Sequence, residues 1–121
     1  MTVAVWMGVA LLGGVGAVCR FLIDRAVSKR ISHPFPSGTL VVNISGALLL
    51  GFLAGLALSA HMALLVGTAF VGSYTTFSTW MFETQRLGEE RRVAAAFANI
   101  AASVVLGLVA AWLGQSIGAA L

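Results

Sequence analysis

From Ile31 to Phe82 the chain carries no Asp, Glu, Lys or Arg, and from Val93 to Leu121 it again carries none. A soluble domain covers its surface with roughly 25% charged residues, whereas these 121 residues are 9% charged and 60% hydrophobic. Seven Lys and Arg with four Asp and Glu cannot cover a soluble globule of this size. The reading is membrane insertion. A helix crosses the hydrocarbon with about 20 residues, so the length allows four crossings and no extramembrane domain. The apolar spacing predicts helices over about 3–23, 38–59, 62–88 and 93–112. The fold class is therefore an all-α membrane protein, a single four-helix transmembrane domain over 1–121.

Composition excludes several classes. The lone Cys19 forbids an intrachain disulfide and a cysteine cluster. A net charge of +3 favours anionic lipid mildly, and no basic run interleaved with aromatics suggests nucleic acid. The N-terminus has no Lys or Arg before its apolar run, and it is expected to be a retained helix.

Helix 1 carries Gly8, Gly13, Gly14, Gly16 and Ala17. Either Ala10 with Gly14 or Gly13 with Ala17 has the small-xxx-small spacing of close helix packing. Arg20 either snorkels to the interface or lines a polar entry that attracts anions. Asp24, one turn on, either pairs with it or is solvated. Pro34 and Pro36 end the helical pattern, and Ser37 is a candidate N-cap for helix 2. In helix 2, Ala47, Gly51 and Gly55 form a small-residue stripe. Asn43 needs partners at membrane depth, as an interhelical hydrogen bond or as a pore-lining donor and acceptor. Ala60-His61 marks a short turn that makes helices 2 and 3 antiparallel neighbours.

Helix 3 contains GSYTTFSTWMFE, Gly72 to Glu83, with five Ser and Thr hydroxyls, four aromatic rings (one of them the Tyr74 phenol) and one acid in twelve residues. Gly72 and the β-branched Thr75 and Thr76 weaken the helix there. One reading is a break that frees backbone groups for an ion. The other is an ordinary helix with hydroxyls bonded to the preceding turn. On helix 4, Asn99, Ser103, Gly107 and Ala111 recur every four residues and should face inward. The tail from Gly114 is expected to fray.

Four crossings put all seven Lys and Arg on the side of the loops after helices 1 and 3, which predicts that those loops are cytoplasmic. The span from Gly38 to Phe82 and helix 4 hold no carboxylate, but they do hold hydroxyls, an amide on each side and ring edges. Such donors suit a small anion, because O–H, N–H and the positive edge of an aromatic ring all point partial positive charge at it. Four thin helices enclose little by themselves, so an oligomer is expected, most commonly two-fold.

The run GSYTTFSTWMFET resembles the signature of the small four-helix fluoride channels, the CrcB/Fluc family, whose usual form is close to GGxTTFSTF followed by a glutamate. GTLVVNISGALLLG resembles the family's helix 2 motif GTLxVNxxG, and GGVGAVCRF its helix 1 motif. The resemblance covers nearly the whole chain. It implies a passive, selective channel that exports cytoplasmic fluoride and relieves its toxicity. It implies an antiparallel dimer in the cell membrane, with helix 3 broken near the membrane centre. It implies a central Na+ held by backbone carbonyls, for which Gly72 and Thr75 are the candidates.

On the same resemblance, Asn43, Thr76, Phe77, Ser78, Trp80 and Ser103 are pore residues and Arg20 stands on the vestibule side. Glu83 matches the glutamate after the signature. Ser73 replaces the second glycine, Trp80 replaces the second phenylalanine, and Phe97 stands around where a tyrosine is expected. The charge bias leaves open a homodimer or a heterodimer with a homologous chain. Two other functions are weighed: a small proton-coupled multidrug or guanidinium-type exporter, disfavoured by the lack of an acid in the core of helix 1, and a non-conducting membrane assembly partner. None of these readings is an enzyme.

Overall fold

The computed structural model describes residues 2–33 and 35–121, and among them every regular element is helical. Pro34, one of the two prolines expected to end the first helical stretch, lies outside the described residues. Three helices are long and apolar enough to cross a membrane: α1 (Val3–Arg30), α2 (Ser37–Gly55) and α6 (Val93–Ala120). Between α2 and α6 the chain forms α3 (Ala60–Met62), a π-helical run (Ala63–Val71), α4 (Gly72–Tyr74) and α5 (Ser78–Glu89).

Several ends differ from the spacing-based expectation, each for a local reason. α1 continues past Ile23 to Arg30, because Asp24 to Arg30 contains no helix breaker. Ser28 Oγ donates to Asp24 Oδ1 at 3.2 Å, and Lys29 and Arg30 sit at the negative end of the helix dipole. Ser37 is the first residue of α2, not its cap; Pro36 holds the cap position and makes no side-chain bond there. α2 stops at Gly55, four residues earlier than expected, and Ala57 turns the chain over at φ 52°. The short turn therefore precedes Ala60-His61, and Ser59 caps α3 by accepting from Met62 N at 3.3 Å. α6 runs to Ala120, not Trp112. Gly114 and Gly118 are poor helix formers, but both are buried against the α2 backbone, and that packing outweighs propensity.

Two parallel pairs build the molecule. Gly8 lies against Leu65, Gly13 against Ser73, and Gly16 against Phe70 and Ser73, so α1 and the 60–74 segment rise together. Ile44 meets Gly107, Gly51 meets Ala111 and Gly55 meets Gln115 and Gly118, so α2 and α6 also rise together. Parallel first and third paths, with parallel second and fourth, are what an up-down-up-down chain requires. Within helix 1, Gly13 and Gly16 make the close approach, while Gly14 has nothing within 4 Å of where a Cβ would stand. Ala111 lies against Gly51 and Asn99 is buried, so the Asn99–Ala111 stripe does face inward.

Candidate ion pathway

The helical path leaves off at Tyr74. Thr75 is extended, with φ −79° and ψ 162°, and α5 begins at Ser78. Leaving a helix for three residues strands backbone groups that need other partners. Two of them are recovered by α2. Asn43 Nδ2 donates to Thr76 O at 2.9 Å, and Thr76 N donates to Asn43 Oδ1 at 2.8 Å. One side-chain amide thus closes both hydrogen bonds of a single residue, as a neighbouring strand would. Thr76 Oγ1 in turn accepts from Thr79 N at 3.2 Å and lies 3.4 Å from Ser78 Oγ, so it caps the first turn of α5.

The same face of α2 anchors both sides of the interruption. Thr39 Oγ1 donates to Glu83 Oε1 at 2.5 Å. Gly46 is buried beneath Thr75 and the Tyr74 ring, where a Cβ would meet Thr75 Cγ2. Ser45 Oγ donates to Val42 O at 3.0 Å, so at the 2.8 Å contact between Ser45 and Tyr74 it is the phenol that donates. Thr39, Asn43 and Gly46 follow the i, i+4, i+7 stride of one helix face. Asn43 and the glycine-containing motif stand out in the sequence. Thr39 and Gly46 as direct supports of helix 3 become visible only by laying that stride on α2.

A groove of about 740 Å³ opens along this face. Asn43, Gly72, Thr75, Thr76, Phe77, Trp80 and Ser103 all line it, so most of the expected pore residues are brought together. Phe77 and Trp80 stand at 82° with centroids 5.7 Å apart, and Phe77 is 70% exposed. Ser103 Oγ is buried and has no hydrogen-bond partner among the described residues. Arg20 lies elsewhere, in a second cavity of about 220 Å³ with Asp24, Thr39, Thr76 and Thr79. Thr76 is the residue common to both cavities. Asp24 bonds Ser28, not Arg20. Ser73 packs against α1 at Gly13 and Gly16, and Ser78 lies on the exposed side of α5.

On α6, Asn99 is 0% exposed and holds α5. Trp80 Nε1 donates to Asn99 O at 3.2 Å, Asn99 Nδ2 donates to Thr84 Oγ1 at 2.8 Å, and Thr84 Oγ1 donates to Trp80 O at 2.8 Å. Phe97, where the resemblance puts a tyrosine, is 69% exposed and does not line the groove.

The arrangement combines a supported helix interruption, an aromatic pair and hydroxyls on one groove wall, and the groove lining among the described residues contains no carboxylate. A family model described as CrcB-like protein, Camphor Resistance (CrcB) matches residues 7–115. The chain belongs to this family. It is 72% identical over 116 residues to fluoride-specific ion channel FluC 2 of Mycolicibacterium paratuberculosis, covering 96% of this chain and 95% of that one. It is 67% identical over 115 residues to FluC 2 of Mycobacterium tuberculosis, covering 95% and 91%. A more distant relative is FluC 1 of Symbiobacterium thermophilum, 43% identical over 122 residues, covering 93% and 96%. The residues matched by the family model, 7–115, include the three motifs of helices 1, 2 and 3.

Proposed function

We propose that the chain is a passive, selective fluoride channel that lets cytoplasmic fluoride leave the cell. The observation that carries this reading is the interruption at 75–77 on the groove wall, braced by Asn43 and flanked by Phe77 and Trp80, in a chain whose relatives are named fluoride-specific ion channels. Fluoride enters from the cavity at Arg20, which draws anions. It reaches Thr76, the residue shared with the groove, and exchanges water for the Thr76 hydroxyl and the second N–H of Asn43, with the Ser78 hydroxyl 3.4 Å from that of Thr76. It then passes the ring edges of Phe77 and Trp80 and the hydroxyl of Ser103, whose oxygen has no protein partner. No bond is made or broken, and no second ion is coupled to the movement.

The working unit is a dimer of antiparallel subunits. Supporting this are the size of the open groove and its apolar lining, which a second subunit would cover, and the incompleteness of one wall as a pore. Neither 60–74 nor the 12 residues of α5 reaches the about 20 residues of a crossing, so the two halves cross the membrane together and the interruption falls near its centre. The one-sided placement of Lys and Arg favours a fixed orientation, with the loops after helices 1 and 3 cytoplasmic, and hence a homologous partner chain over a homodimer.

The donor set at the interruption suits a hard cation. Among the described residues, no backbone N–H outside the helices donates to the carbonyls of Gly72 to Thr75. Neutral oxygens of this kind match Na+, and the carbonyls of Gly72 and Thr75 from each subunit would hold it. When bound, its charge lowers the cost of an anion nearby.

Purified protein in fluoride-loaded liposomes tests the reading. Fluoride release without a pH gradient, with chloride retained, is the expected result. Release that appears only when a proton gradient is imposed would support the exporter reading, and no release at all would leave an assembly partner.

A further inference from the structure

We propose that Thr84 and Asn99 are positioning residues that keep the only hydrogen-bond donor of Trp80 turned away from the ion path. The indole then presents a ring edge without a free N–H, which is what a phenylalanine would present. The inference rests on the fluoride-channel reading and concerns Trp80, one of the two residues at which this chain departs from the family signature.

An indole has one donor, Nε1–H. Here it is engaged 3.2 Å from the backbone carbonyl of Asn99, on α6. Whether that bond exists depends on how α5 is rotated and raised against α6. A second link between the same helices governs this. Thr84 stands one turn beyond Trp80 on α5, and its hydroxyl donates to Trp80 O at 2.8 Å while accepting from Asn99 Nδ2 at 2.8 Å. The geometry of each bond fixes the donors: the single Thr84 proton goes to Trp80 O, so Asn99 supplies the other. Asn99 is 0% exposed, so its amide has no water to turn to when the Thr84 hydroxyl is removed. The three residues form one unit with two bonds across the helix pair, and Asn99 Oδ1 is the atom in it with no partner among the described residues.

The consequence lies in the groove. Its ring stands at 82° to Phe77, 5.7 Å between centroids, and both rings line the groove. Conduction requires that an ion be held weakly enough to leave. A free indole N–H in the groove would be a much stronger donor to a small hard anion than a ring C–H, and would retain it. Engaging the N–H with Asn99 removes that trap.

The test is a comparison in two backgrounds, the Trp80 chain and the Trp80→Phe chain, each with Thr84→Val and Thr84→Ser. Loss of one hydrogen-bonded support predicts that Thr84→Val slows fluoride efflux about tenfold in the Trp80 chain. In the Trp80→Phe chain, which has no N–H to hold, the same substitution should change efflux by less than about twofold relative to its own background, within the scatter of such pair terms. Thr84→Ser, which keeps the hydroxyl, should restore the Trp80 rate. Equal slowing in both backgrounds overturns the proposal and makes Thr84 a general support of the helix pair; no slowing in either overturns it as well. Elution as the assembled species checks that each variant folds. Tryptophan emission of a Trp6→Phe/Trp112→Phe chain, in which Trp80 is the sole tryptophan, gives a readout independent of transport. Thr84→Val should shift it and Thr84→Ser should not. If the parent chain releases no fluoride, the channel reading fails, and the emission alone then decides the clamp.

Discussion

The side-chain amide of Asn43 and the backbone of Thr76 face each other as two antiparallel strands would, with N–H to O distances of 2.9 and 2.8 Å. Both polar atoms of the amide are engaged, yet one N–H and one lone pair remain. Asn43 therefore braces the interruption and still has a donor to offer the groove it lines. The two sequence-level readings of this residue, interhelical hydrogen bond and pore donor, are compatible.

Removing the brace should be costly. Asn43→Ala leaves the Thr76 N–H and carbonyl without their partners, at about 1–3 kcal/mol for each stranded group. The expected outcome is a lower unfolding temperature together with loss of fluoride efflux. A variant that melts like the parent and conducts like it would contradict the assignment of Asn43 as the support of residues 75–77.

Gly46 and Gly14 make a matched pair for testing close packing. A Cβ at Gly46 would meet Thr75 Cγ2 and the Tyr74 ring, whereas one at Gly14 would meet nothing within 4 Å. Gly46→Ala should destabilise by about 1–3 kcal/mol, the usual range for overpacking. Gly14→Ala should stay within about 1 kcal/mol of the parent, on the favourable side, since Ala is the better helix former. Thermal unfolding of the two variants in the same detergent compares them directly.

Phe77 is 70% exposed in the single chain, so its side chain contributes little to the folding of that chain. Phe77→Ile removes the ring edge and its right-angled contact with Trp80 while keeping an apolar side chain. Aromatic pair energies of about 0.5–1.5 kcal/mol correspond to up to about tenfold in rate. Fluoride efflux from liposomes should fall by about that factor, with elution and melting unchanged.

Sodium dependence is the check on the carbonyls of Gly72 and Thr75. Purification and assay with N-methylglucamine in place of sodium should lower fluoride efflux and weaken subunit association. Returning sodium should restore both. Equal efflux and equal dimer stability with and without sodium would remove the cation from the mechanism.

Much of this molecule is legible in its residues. The charge-free stretches require a membrane, and the glycines at 13, 16, 51 and 55 anticipate helices whose backbones touch. The TTFST run, with the upstream Asn43, points to the groove. Helix ends were less legible. Gly114 and Gly118 suggest fraying when read alone and continue the helix once packed, because the contacts that hold them lie on α2, more than fifty residues away in the chain. Cys19, the lone cysteine, takes no part in the groove.

The chain's own composition determined that it is helical, membrane-embedded and poor in acids, since continuous apolar runs of about 20 residues cross a bilayer as helices, whose backbone groups are bonded within the segment. Its motifs determined the family. What only the tertiary structure decided is which polar groups are already engaged. Asn43 turns to Thr76, Thr39 to Glu83, and the Trp80 indole to Asn99, while Ser103 Oγ and Asn99 Oδ1 have no partner among the described residues. Hydrogen bonding depends on distance and direction between helices, and a one-dimensional pattern carries neither. The same residues could line a pathway or glue a bundle until packing assigns each donor its acceptor.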